Sequence, residues 1–369
     1  MRVLYAAAIR IPTEKAHGAQ IMHTCAALAR AGTEVELVVP GRATPIEQDP
    51  FDYYGVEKNF TLTTLRVTDL ISWGRFGFLL TSISFARRVM AHALAAQFDV
   101  VYSRDKVVLL VLQWLAPQLR LVFEVHGEES AWVLHRLSDA RFVAISQGLK
   151  DSLITEGVPQ NHIVVAHDGI DLAPFARAES QQVARRRLGL PQDKKIALYV
   201  GRLDGWKGTN TLLEAVSLLP QVVVALIGGE PAQVGALQKK FPHAVFLGPR
   251  PYKELADNLA AADVLVLPNT AHDVTSQRYT SPLKLFAYLA ARKPIVASDL
   301  PSIREVLSER EAFLVPPDNA VALVHGVEQA LNSPEVLTKT AAAGNKVTEY
   351  TWDARAKSIF TALTQWLRS

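Results

Sequence analysis

A glycine-rich loop with two cations is the strongest chemical signal in this sequence. An apolar run leads into segment 201–208, GRLDGWKG, and a helical pattern follows it. Arginine binds a phosphate through two parallel hydrogen bonds, lysine adds a point charge, and the first turn of a helix favours an anion. The loop therefore predicts a diphosphate site in which Arg202 and Lys207 supply positive charge after Gly201. The alternative is a surface loop with two solvated cations.

The start of a later helix predicts a second place for phosphate. Segment 279–284, YTSPLK, has Ser281 where an N-cap residue is favoured and Pro282 where the first helical residue is favoured. The backbone N–H groups of Leu283 and Lys284 would then have no helical acceptor and would be available to an anion. The alternative is a helix that is simply well capped.

Two further positions follow predicted strands in the first half of the chain. Ligands of doubly wound sheets bind at the carboxyl ends of the strands, so these positions matter most. His126 directly follows a strand, and a histidine there can donate a hydrogen bond or titrate near neutral pH. Gly18 lies near a helix start, where a missing side chain lets the backbone approach an anion. A histidine that only stabilises its loop and a glycine required only by its turn are the alternatives.

Several catalytic and cofactor motifs are absent from the sequence. It contains no Asp-x-Asp, no Gly-x-Ser-x-Gly and no His-Glu-x-x-His. The first strand–helix turn lacks the dinucleotide fingerprint, and segment 201–208 lacks the P-loop spacing. We therefore expect no cofactor, no metal held by paired carboxylates and no redox chemistry. Cations and helix ends would handle the phosphate charge.

Short apolar runs alternate with amphipathic stretches, which predicts an α/β fold with parallel sheets covered by helices on both faces. The predicted strands are 2–8, 34–39, 99–102, 120–125, 141–145, 162–166, 196–200, 222–227, 244–247, 263–267, 294–297 and 312–315. The predicted helices are 18–31, 77–96, 106–116, 147–156, 209–219, 231–240, 252–261, 282–291, 320–332 and 353–368.

The chain of 369 residues is about twice the length of a typical domain, so two similar domains are expected. Segment 172–193 breaks the alternation with prolines and a run of arginines, and we interpret it as the linker. The first domain is then 1–171 and the second is 194–350. The C-terminal helix within 351–369 either closes the second domain or packs back on the first.

Composition and charge exclude several classes of protein. Hydrophobic residues make up 49% and charged residues 20% of the chain, which excludes a largely disordered protein. The formal net charge of +3 is too small to predict nucleic acid as a partner. The single cysteine, Cys25, excludes an internal disulfide. Because neither a signal peptide nor a membrane-spanning stretch is visible, we expect a cytoplasmic protein.

One segment invites a membrane interpretation. Residues 73–88 combine bulky apolar side chains with arginines, namely Trp73, Phe76, Phe78, Leu79, Leu80, Arg87 and Arg88. Such a mixture can hold a helix at a lipid surface. Peripheral contact with the inner face of the membrane and a partly buried helix with solvated arginines remain the two interpretations.

In chain order, several segments resemble the family 4 retaining glycosyltransferases of the GT-B fold. The loop 201–208 is similar to the phosphate loop of that family. The other similar segments are 126–127 (HG), 143–146 (VAIS), 165–171 (VAHDGID), 246–248 (FLG), 262–268 (ADVLVLP), 281–286 (SPLKLF) and 293–298 (KPIVAS). The resemblance covers essentially the whole chain, and the common order of the segments makes it specific.

The resemblance implies two Rossmann-like doubly wound domains facing a cleft, with a nucleotide-activated sugar bound mainly to the second. Arg202 and Lys207 would then hold the diphosphate beside the backbone of 281–284, and His126 would reach the transferred sugar. The other donor-binding residues that the resemblance implies are Gly18, Gly201, Phe246, Leu247 and Arg250. In such enzymes the leaving phosphate takes the acceptor proton, so no enzymic base is expected.

Two positions depart from the family pattern. The family usually carries two glutamates eight residues apart around this helix start, and this chain has Tyr279 and Ala287 there. Losing the second glutamate, which would hold the ribose hydroxyls, costs about 1.5–3 kcal/mol, roughly one to two powers of ten in donor affinity. Ala287 leaves open a deliberately substituted variant, an enzyme that holds ribose otherwise, and a protein that binds without transferring.

The predicted function is therefore metal-independent transfer of a hexose, with retention, from a UDP- or GDP-linked sugar to a hydroxyl acceptor. The acceptor would be a carbohydrate or a lipid-linked molecule, and His126, Arg202 and Lys207 would be the catalytic residues. Two alternatives remain. One is an impaired or inactive nucleotide-sugar-binding protein, and the other is a GT-B epimerase acting on a nucleotide sugar.

Overall fold

The computed structural model describes residues 1–368, apart from the side chain of Trp206. The chain divides into two compact units. The first unit comprises Met1–His167 and the C-terminal residues from Trp352, and the second comprises Asp168–Thr351. Each unit contains one sheet with helices packed on it, and each is described by itself below.

The first unit is built on a seven-stranded sheet in which all neighbouring strands are parallel. Its strands are β1 (Arg2–Ala6), β2 (Glu34–Pro40), β3 (Thr61–Leu65), β4 (Val100–Ser103), β5 (Leu121–Val125), β6 (Arg141–Ala144) and β7 (Ile163–Val165). The order across the sheet is β3-β2-β1-β4-β5-β6-β7. The strand order therefore reverses at β1, and such a reversal is where doubly wound sheets bind ligands.

Six helices connect these strands. They are α1 (Ala16–Arg30), α2 (Pro50–Tyr54), α3 (Gly74–Ala96), α4 (Lys106–Leu115), α5 (Ala131–Arg136) and α6 (Gln147–Thr155). Short 3₁₀ turns at Ile71–Trp73 and Gln160–His162 complete the connections. Within residues 1–368, no helix combines the length and the apolar character needed to span a membrane.

The second unit repeats the design with a six-stranded parallel sheet of order β10-β9-β8-β11-β12-β13. Its strands are β8 (Lys195–Val200), β9 (Val222–Ile227), β10 (Val245–Phe246), β11 (Val264–Leu267), β12 (Ile295–Ser298) and β13 (Phe313–Val315). Its helices are α7 (Ala173–Ala176), α8 (Gln181–Leu188), α9 (Thr209–Val216), α10 (Pro231–Lys240), α11 (Leu255–Ala260), α12 (Leu283–Ala291), α13 (Pro301–Arg304), α14 (Ala320–Asn332) and α15 (Val336–Lys346). The predicted α/β class with two doubly wound sheets is confirmed.

The strands form because their side chains are apolar on both faces of the sheet. In β8, Ile196 and Leu198 pack into one core layer, whereas Ala197 and Tyr199 pack into the other. This alternation is what a strand buried between two helical layers requires. Polar groups therefore collect at the strand ends, where the loops begin.

The expected linker 172–193 is not a separate connection in the structure. It contains α7 and α8, and Ala184 and Leu188 of α8 are buried in the core of the second unit. The arginine run supplies a buried ion pair, because Arg185 Nη2 lies 2.5 Å from Asp263 Oδ2. Four-residue spacing of the apolar side chains explains why this segment packs as a helix.

The last helix, α16 (Trp352–Arg368), belongs to the first unit. Trp352 is buried and stacks on His23 of α1 with 5.4 Å between the ring centroids. Arg30 at the end of α1 pairs with Asp353, with Nη2 and Oδ1 2.7 Å apart. The structure thereby decides between the two places that the sequence allowed for this helix.

Several short elements were missed at the level of sequence. These are β3, α2, α5, α13 and α15. β3 has the sequence TLTTL and lies at the edge of its sheet, so it lacks the apolar run by which the other strands were recognised. The short helices α2, α5 and α13 span four to six residues, too few to show helical periodicity.

Candidate functional site

Close backbone contacts position the loop that follows β8. Gly201 and Gly208 have φ values of 145° and 73°. A Cβ atom on Gly208 would lie 1.6 Å from the carbonyl oxygen of Pro268, and one on Gly228 would lie 2.1 Å from that of Gly201. Only glycine fits such positions. The loop is therefore pressed against the carboxyl ends of β9 and β11 before a 3₁₀ turn at Gly205–Lys207 leads into α9.

Arg202 extends from this loop into solvent. Its side chain is 75% exposed, and its Nε lies 2.6 Å from Oδ2 of Asp204. The Tyr199 hydroxyl donates a hydrogen bond of 2.6 Å to the backbone oxygen of Arg202. The guanidinium thus already faces one carboxylate of its own loop, so a phosphate that binds here must share or displace that contact.

Lys207 lies deeper in the same loop and is partly buried. Burial is the main cause that lowers the pKa of Lys207, to about 8, and the positive charge of Arg202 adds to it. The carboxylates of Asp204 and Asp273 act in the opposite direction without cancelling the shift. An ammonium whose charged form is disfavoured in this way gains stability when an anion arrives.

Lys284 brings a third cation to the same place. Its Nζ donates to the Tyr199 hydroxyl at 2.8 Å and lies 3.9 Å from the centroid of the Tyr199 ring. A Cβ on Gly201 would be 2.9 Å from this Nζ, so the glycine leaves room for the ammonium. Burial first, and then the charge of Lys207, hold the pKa of Lys284 well below its usual range. The sequence predicted only the backbone of this residue for the site.

The start of α12 differs from its prediction. Pro282 is the N-cap residue and makes no side-chain cap hydrogen bond, and Leu283 is the first helical residue. The expected capping role of Ser281 is wrong, because its Oγ accepts a 3.2 Å hydrogen bond from the backbone N–H of Asp168. The helix therefore begins one residue later than expected and without a serine cap, and the phosphate cradle at Leu283 and Lys284 stays a prediction.

Tyr279 and Ala287 are both buried. Tyr279 ends a π-helical turn at Thr275–Tyr279, just before the chain enters α12. Ala287 is fully buried in the apolar core of the second unit, among neighbours such as Phe286 and Leu289. The methyl group of Ala287 is therefore part of the core. A glutamate at this position would have its backbone in the core and would need to extend its side chain out of it.

The segment expected to border the base follows β9 and β10. Phe246 ends β10, and Phe246 and Leu247 are half-buried, whereas Arg250 is exposed. The backbone oxygen of Gly248 accepts a 2.8 Å hydrogen bond from the N–H of Gly228. Since a Cβ on Gly228 would meet the backbone of Gly201, this segment lies next to the loop after β8.

In the first unit, a buried glutamate organises the residues around His126. Glu124 of β5 is fully buried and contacts four polar side chains, from three elements and one loop. Its carboxylate accepts hydrogen bonds from Gln20 Nε2 at 2.6 Å and from the Tyr102 hydroxyl. It also lies 2.5 Å from His126 Nε2 and 2.9 Å from Arg355 Nη2.

These contacts keep the carboxylate charged. Burial alone would raise the pKa of Glu124, but the Arg355 guanidinium and the His126 hydrogen bond outweigh burial and hold the pKa below its usual range. An ionised carboxylate only accepts hydrogen bonds, so the facing Nε2 of His126 carries a hydrogen. Glu124 therefore fixes the orientation of the His126 ring.

Arg355 connects this carboxylate to the end of the first unit. Besides Glu124, its guanidinium donates to the backbone oxygens of Ala166 and His167, the latter at 3.1 Å. Both carbonyls belong to the residues that follow β7. Helix α16 is thereby fastened to the edge of the sheet by one buried arginine.

Gly18 packs closely against the side chains of Tyr54 and Thr13. A Cβ on Gly18 would lie 2.1 Å from the hydroxyl of Tyr54 and 2.6 Å from Cγ2 of Thr13. The N–H of Gly18 already donates to the backbone oxygen of Lys15 at 3.0 Å. Packing against Tyr54 therefore requires a glycine here, and the expected approach of the Gly18 backbone to an anion stays a prediction.

The charges of Arg104 and His126 both act on His17. Arg104 Nη1 donates to Oε1 of Gln20 at 3.1 Å. Burial, followed by the charge of Arg104, lowers the pKa of His17 to about 4, so His17 is neutral at pH 7. Sequence reasoning missed this group, as it missed Glu124, although one carboxylate inside the apolar strand LVFEV was a visible signal.

Among residues 1–368, no group of three or more His, Cys, Asp or Glu side chains is arranged to hold a metal ion. The predicted site residues fall into two sets. In the second unit, the structure gathers Gly201, Arg202, Lys207 and Lys284 around one loop. In the first unit, His126 lies in the network of Glu124.

Two family models match this chain. The model for glycosyl transferases group 1 matches residues 180–347, and the model for glycosyltransferase family 4 matches residues 18–174. The two matches follow one another along the chain and cover most of it. They correspond closely to the second and the first unit.

Similar proteins carry glycosyltransferase names. The chain is 32% identical over 161 residues to a putative teichuronic acid biosynthesis glycosyltransferase, TuaC, of Bacillus subtilis, covering 43% of this chain and 39% of that protein. It is 33% identical over 208 residues to a GDP-mannose-dependent alpha-mannosyltransferase of Mycobacterium tuberculosis, covering 53% and 51%. The chain thus spans about half the length of the curated relatives it matches.

A solved structure shares the fold over the whole chain. HepE of Anabaena in complex with UDP-glucose superposes with a TM-score of 0.77 at 18% identity, covering 99% of this chain and 100% of that one. Identity at this level supports the architecture only.

Proposed function

The chain belongs to family 4 of the glycosyltransferases with the GT-B fold, and from that premise we propose a retaining, metal-independent transfer of a hexose from a nucleoside diphosphate sugar to a hydroxyl acceptor. The observation that carries this proposal is the cluster of Arg202, Lys207 and Lys284 around the loop after β8. Like charges held together with few carboxylates favour a polyanion such as a diphosphate.

The cluster acts on the leaving group. As the bond between sugar and diphosphate breaks, negative charge grows on the phosphate oxygens, and fixed cations stabilise that charge more in the transition state than in the ground state. Lys207 is the central contact because burial strengthens its interaction with an anion. Arg202 adds a bidentate contact once it turns from Asp204 to the phosphate.

His126 contacts the transferred sugar in this proposal. Glu124 holds the ring through Nε2, so the histidine meets the sugar with little loss of side-chain entropy. The leaving phosphate accepts the proton of the acceptor hydroxyl, which gives retention without an enzymic base. The family commonly has carboxylates at the positions of Tyr279 and Ala287, and both residues are buried here, so ribose would be held by other groups.

The donor is proposed to be UDP- or GDP-linked. HepE was solved with UDP-glucose, and the relative from Mycobacterium tuberculosis is named as GDP-mannose-dependent. The segment from Phe246 to Arg250 would border the base. A thermal-shift panel of UDP, GDP, ADP and their sugars identifies the base that stabilises the protein.

Transfer itself is tested with the donor that stabilises the protein and a panel of carbohydrate and lipid-linked acceptors. Product anomers measured by NMR should keep the donor configuration, and a chelator should leave the rate unchanged. An inverted product would contradict retention, and loss of activity with the chelator would contradict metal independence. Binding without any transfer or donor hydrolysis would contradict the enzyme.

We further propose a cytoplasmic enzyme that touches the inner face of the membrane through segment 73–88. The side chains of Trp73 and Phe76 at the start of α3 are 65% and 63% exposed. Exposed aromatic groups with nearby arginines suit an anionic lipid surface. Replacing both with serine should abolish binding to vesicles that contain anionic lipid, whereas Trp114→Ser, an exposed tryptophan on α4, should not.

A further inference from the structure

We infer that the side chain of Lys284 is a third phosphate-binding cation of the donor site, acting together with Lys207. The inference rests on the proposed function, since it assumes that the loop after β8 holds a diphosphate. It goes beyond the backbone contact expected at this helix start, because it assigns the ammonium group itself.

The geometry places the ammonium at the base of the loop. Nζ lies 2.8 Å from the Tyr199 hydroxyl, 3.9 Å from the ring centroid and 2.9 Å from where a Gly201 side chain would begin. Any larger residue at 201 would meet the lysine. The missing side chain of Gly201 therefore leaves room for the ammonium beside the loop.

The groups around Lys284 do not neutralise it. Tyr199 is buried, which raises the pKa of its phenol well above the usual value, so its hydroxyl is neutral. The nearby charged side chain on the loop is Lys207, and Asp204 is already paired with Arg202. Within the described residues 1–368, no carboxylate lies within ion-pair distance of Lys284. The remaining acidic neighbour of the cluster, Asp273, acts on Lys207.

Binding of an anion should raise the pKa of Lys284. Burial and the charge of Lys207 lower the pKa of Lys284, so the empty site stabilises the ammonium less than water does. A bound diphosphate favours the ammonium. Binding should therefore be accompanied by proton uptake, because the protein gains protons on its lysines when the anion arrives.

A purely structural role makes different predictions. The cation–π contact and the hydrogen bond to Tyr199 also connect α12 to β8. If that were the whole role of Lys284, its removal would lower the melting temperature but leave the affinity for nucleotides and the proton uptake unchanged.

The test compares Lys284→Met with Lys207→Met and with Lys239→Met, an exposed lysine on α10 of the same unit. Calorimetry with UDP and with GDP measures affinity, and uridine and guanosine serve as probes without phosphate. We expect Lys284→Met to weaken binding of the preferred diphosphate roughly 10- to 100-fold, as expected for one charge-assisted contact. Binding of the nucleoside should be unchanged, as should all binding by Lys239→Met.

Proton uptake is measured by repeating the titration near pH 8 in two buffers of different ionisation enthalpy. The unaltered protein should take up protons, whereas Lys284→Met should take up fewer. Lys284→Gln, which removes the charge but keeps a hydrogen-bond donor for the Tyr199 hydroxyl, decides the question even if Lys284→Met fails to fold. Diphosphate affinity and proton uptake of Lys284→Gln equal to those of the unaltered protein would overturn the assignment.

These outcomes distinguish failure of the proposed function from failure of the role assigned to Lys284. If the unaltered protein binds none of the nucleotides, the proposed function and the role of Lys284 fail together. If it binds, and Lys207→Met weakens binding while Lys284→Met does not, the proposed function stands and the role of Lys284 is refuted.

Discussion

The two units hold their charged groups in opposite ways. In the first unit, one buried carboxylate is matched by donors from α1, β4, the His126 loop and α16. In the second unit, cations gather around a glycine-rich loop, and the carboxylates there do not match them in number. The first arrangement is complete within its unit, whereas under the proposed function the second would be completed by an anionic ligand.

This difference separates stability from function. A buried charge whose partners all come from the same unit stabilises the fold, and removing one partner leaves the other charge uncompensated. A cluster of like charges destabilises the empty protein slightly and gains that energy back on binding. Substitutions around Glu124 should therefore lower the free energy of unfolding. Substitutions around the loop after β8 should instead lower ligand affinity and turnover.

The largest effect is expected from Glu124→Ala. The change leaves the Arg355 guanidinium buried without its carboxylate, which costs about 3–5 kcal/mol in the free energy of unfolding. Urea denaturation of the first unit measures it, and Glu47→Ala, an exposed glutamate of the same unit, is the control. Equal stabilities of the two variants would show that the network does not hold the unit together.

Lys207→Ala should lower the activity without lowering the stability. We expect turnover to fall roughly 100- to 1000-fold, since a fixed cation at the leaving group is lost. The free energy of unfolding should not decrease, because the pKa of Lys207, lowered by burial to about 8, shows that its charge is disfavoured in the empty site. Steady-state kinetics and urea denaturation of the same sample give both numbers. An unchanged transfer rate would refute the role of Lys207.

Gly18→Ala tests the contribution of close packing, rather than of charge, to the stability of the first unit. The added methyl group would overlap the Tyr54 hydroxyl, and overpacking of this kind costs about 1–3 kcal/mol. Gly235→Ala is the matched control, because it is also a helical glycine but has open space around its Cβ position. A stability of Gly18→Ala equal to that of the unaltered protein would mean that the contact with Tyr54 relaxes freely.

The smallest effect concerns pH. The charged form of Lys207 binds the anion, and with the pKa of Lys207 in the empty site at about 8 its contribution to the affinity should be constant below pH 7. Above pH 8 it should fall by about tenfold per pH unit, until the raised pKa of the complex is reached. Calorimetry with the preferred nucleoside diphosphate across this range measures it, and Lys207→Met should remove the part due to Lys207. An affinity that rises with pH would contradict the sign of the linkage.

Much of the fold was predictable because its causes are local. Apolar runs such as the strand at 222–227 and periodic stretches such as the helix at 231–240 have the bounds expected from the sequence. The glycine-rich loop was also recognisable, since glycines, cations and the following helix are neighbours along the chain. The composition of a segment was enough in these cases, because each element buries its own apolar face.

The sequence by itself thus determined the two α/β units, most strands and helices, and the family to which the chain belongs. Tertiary structure alone decided that Ser281 bonds to Asp168 instead of capping α12, and that the ammonium of Lys284 approaches Gly201. It also decided that Arg355 of the last helix pairs with Glu124. Each of these contacts joins residues far apart in the chain, and no local pattern of residue types specifies which distant partner a polar side chain will meet.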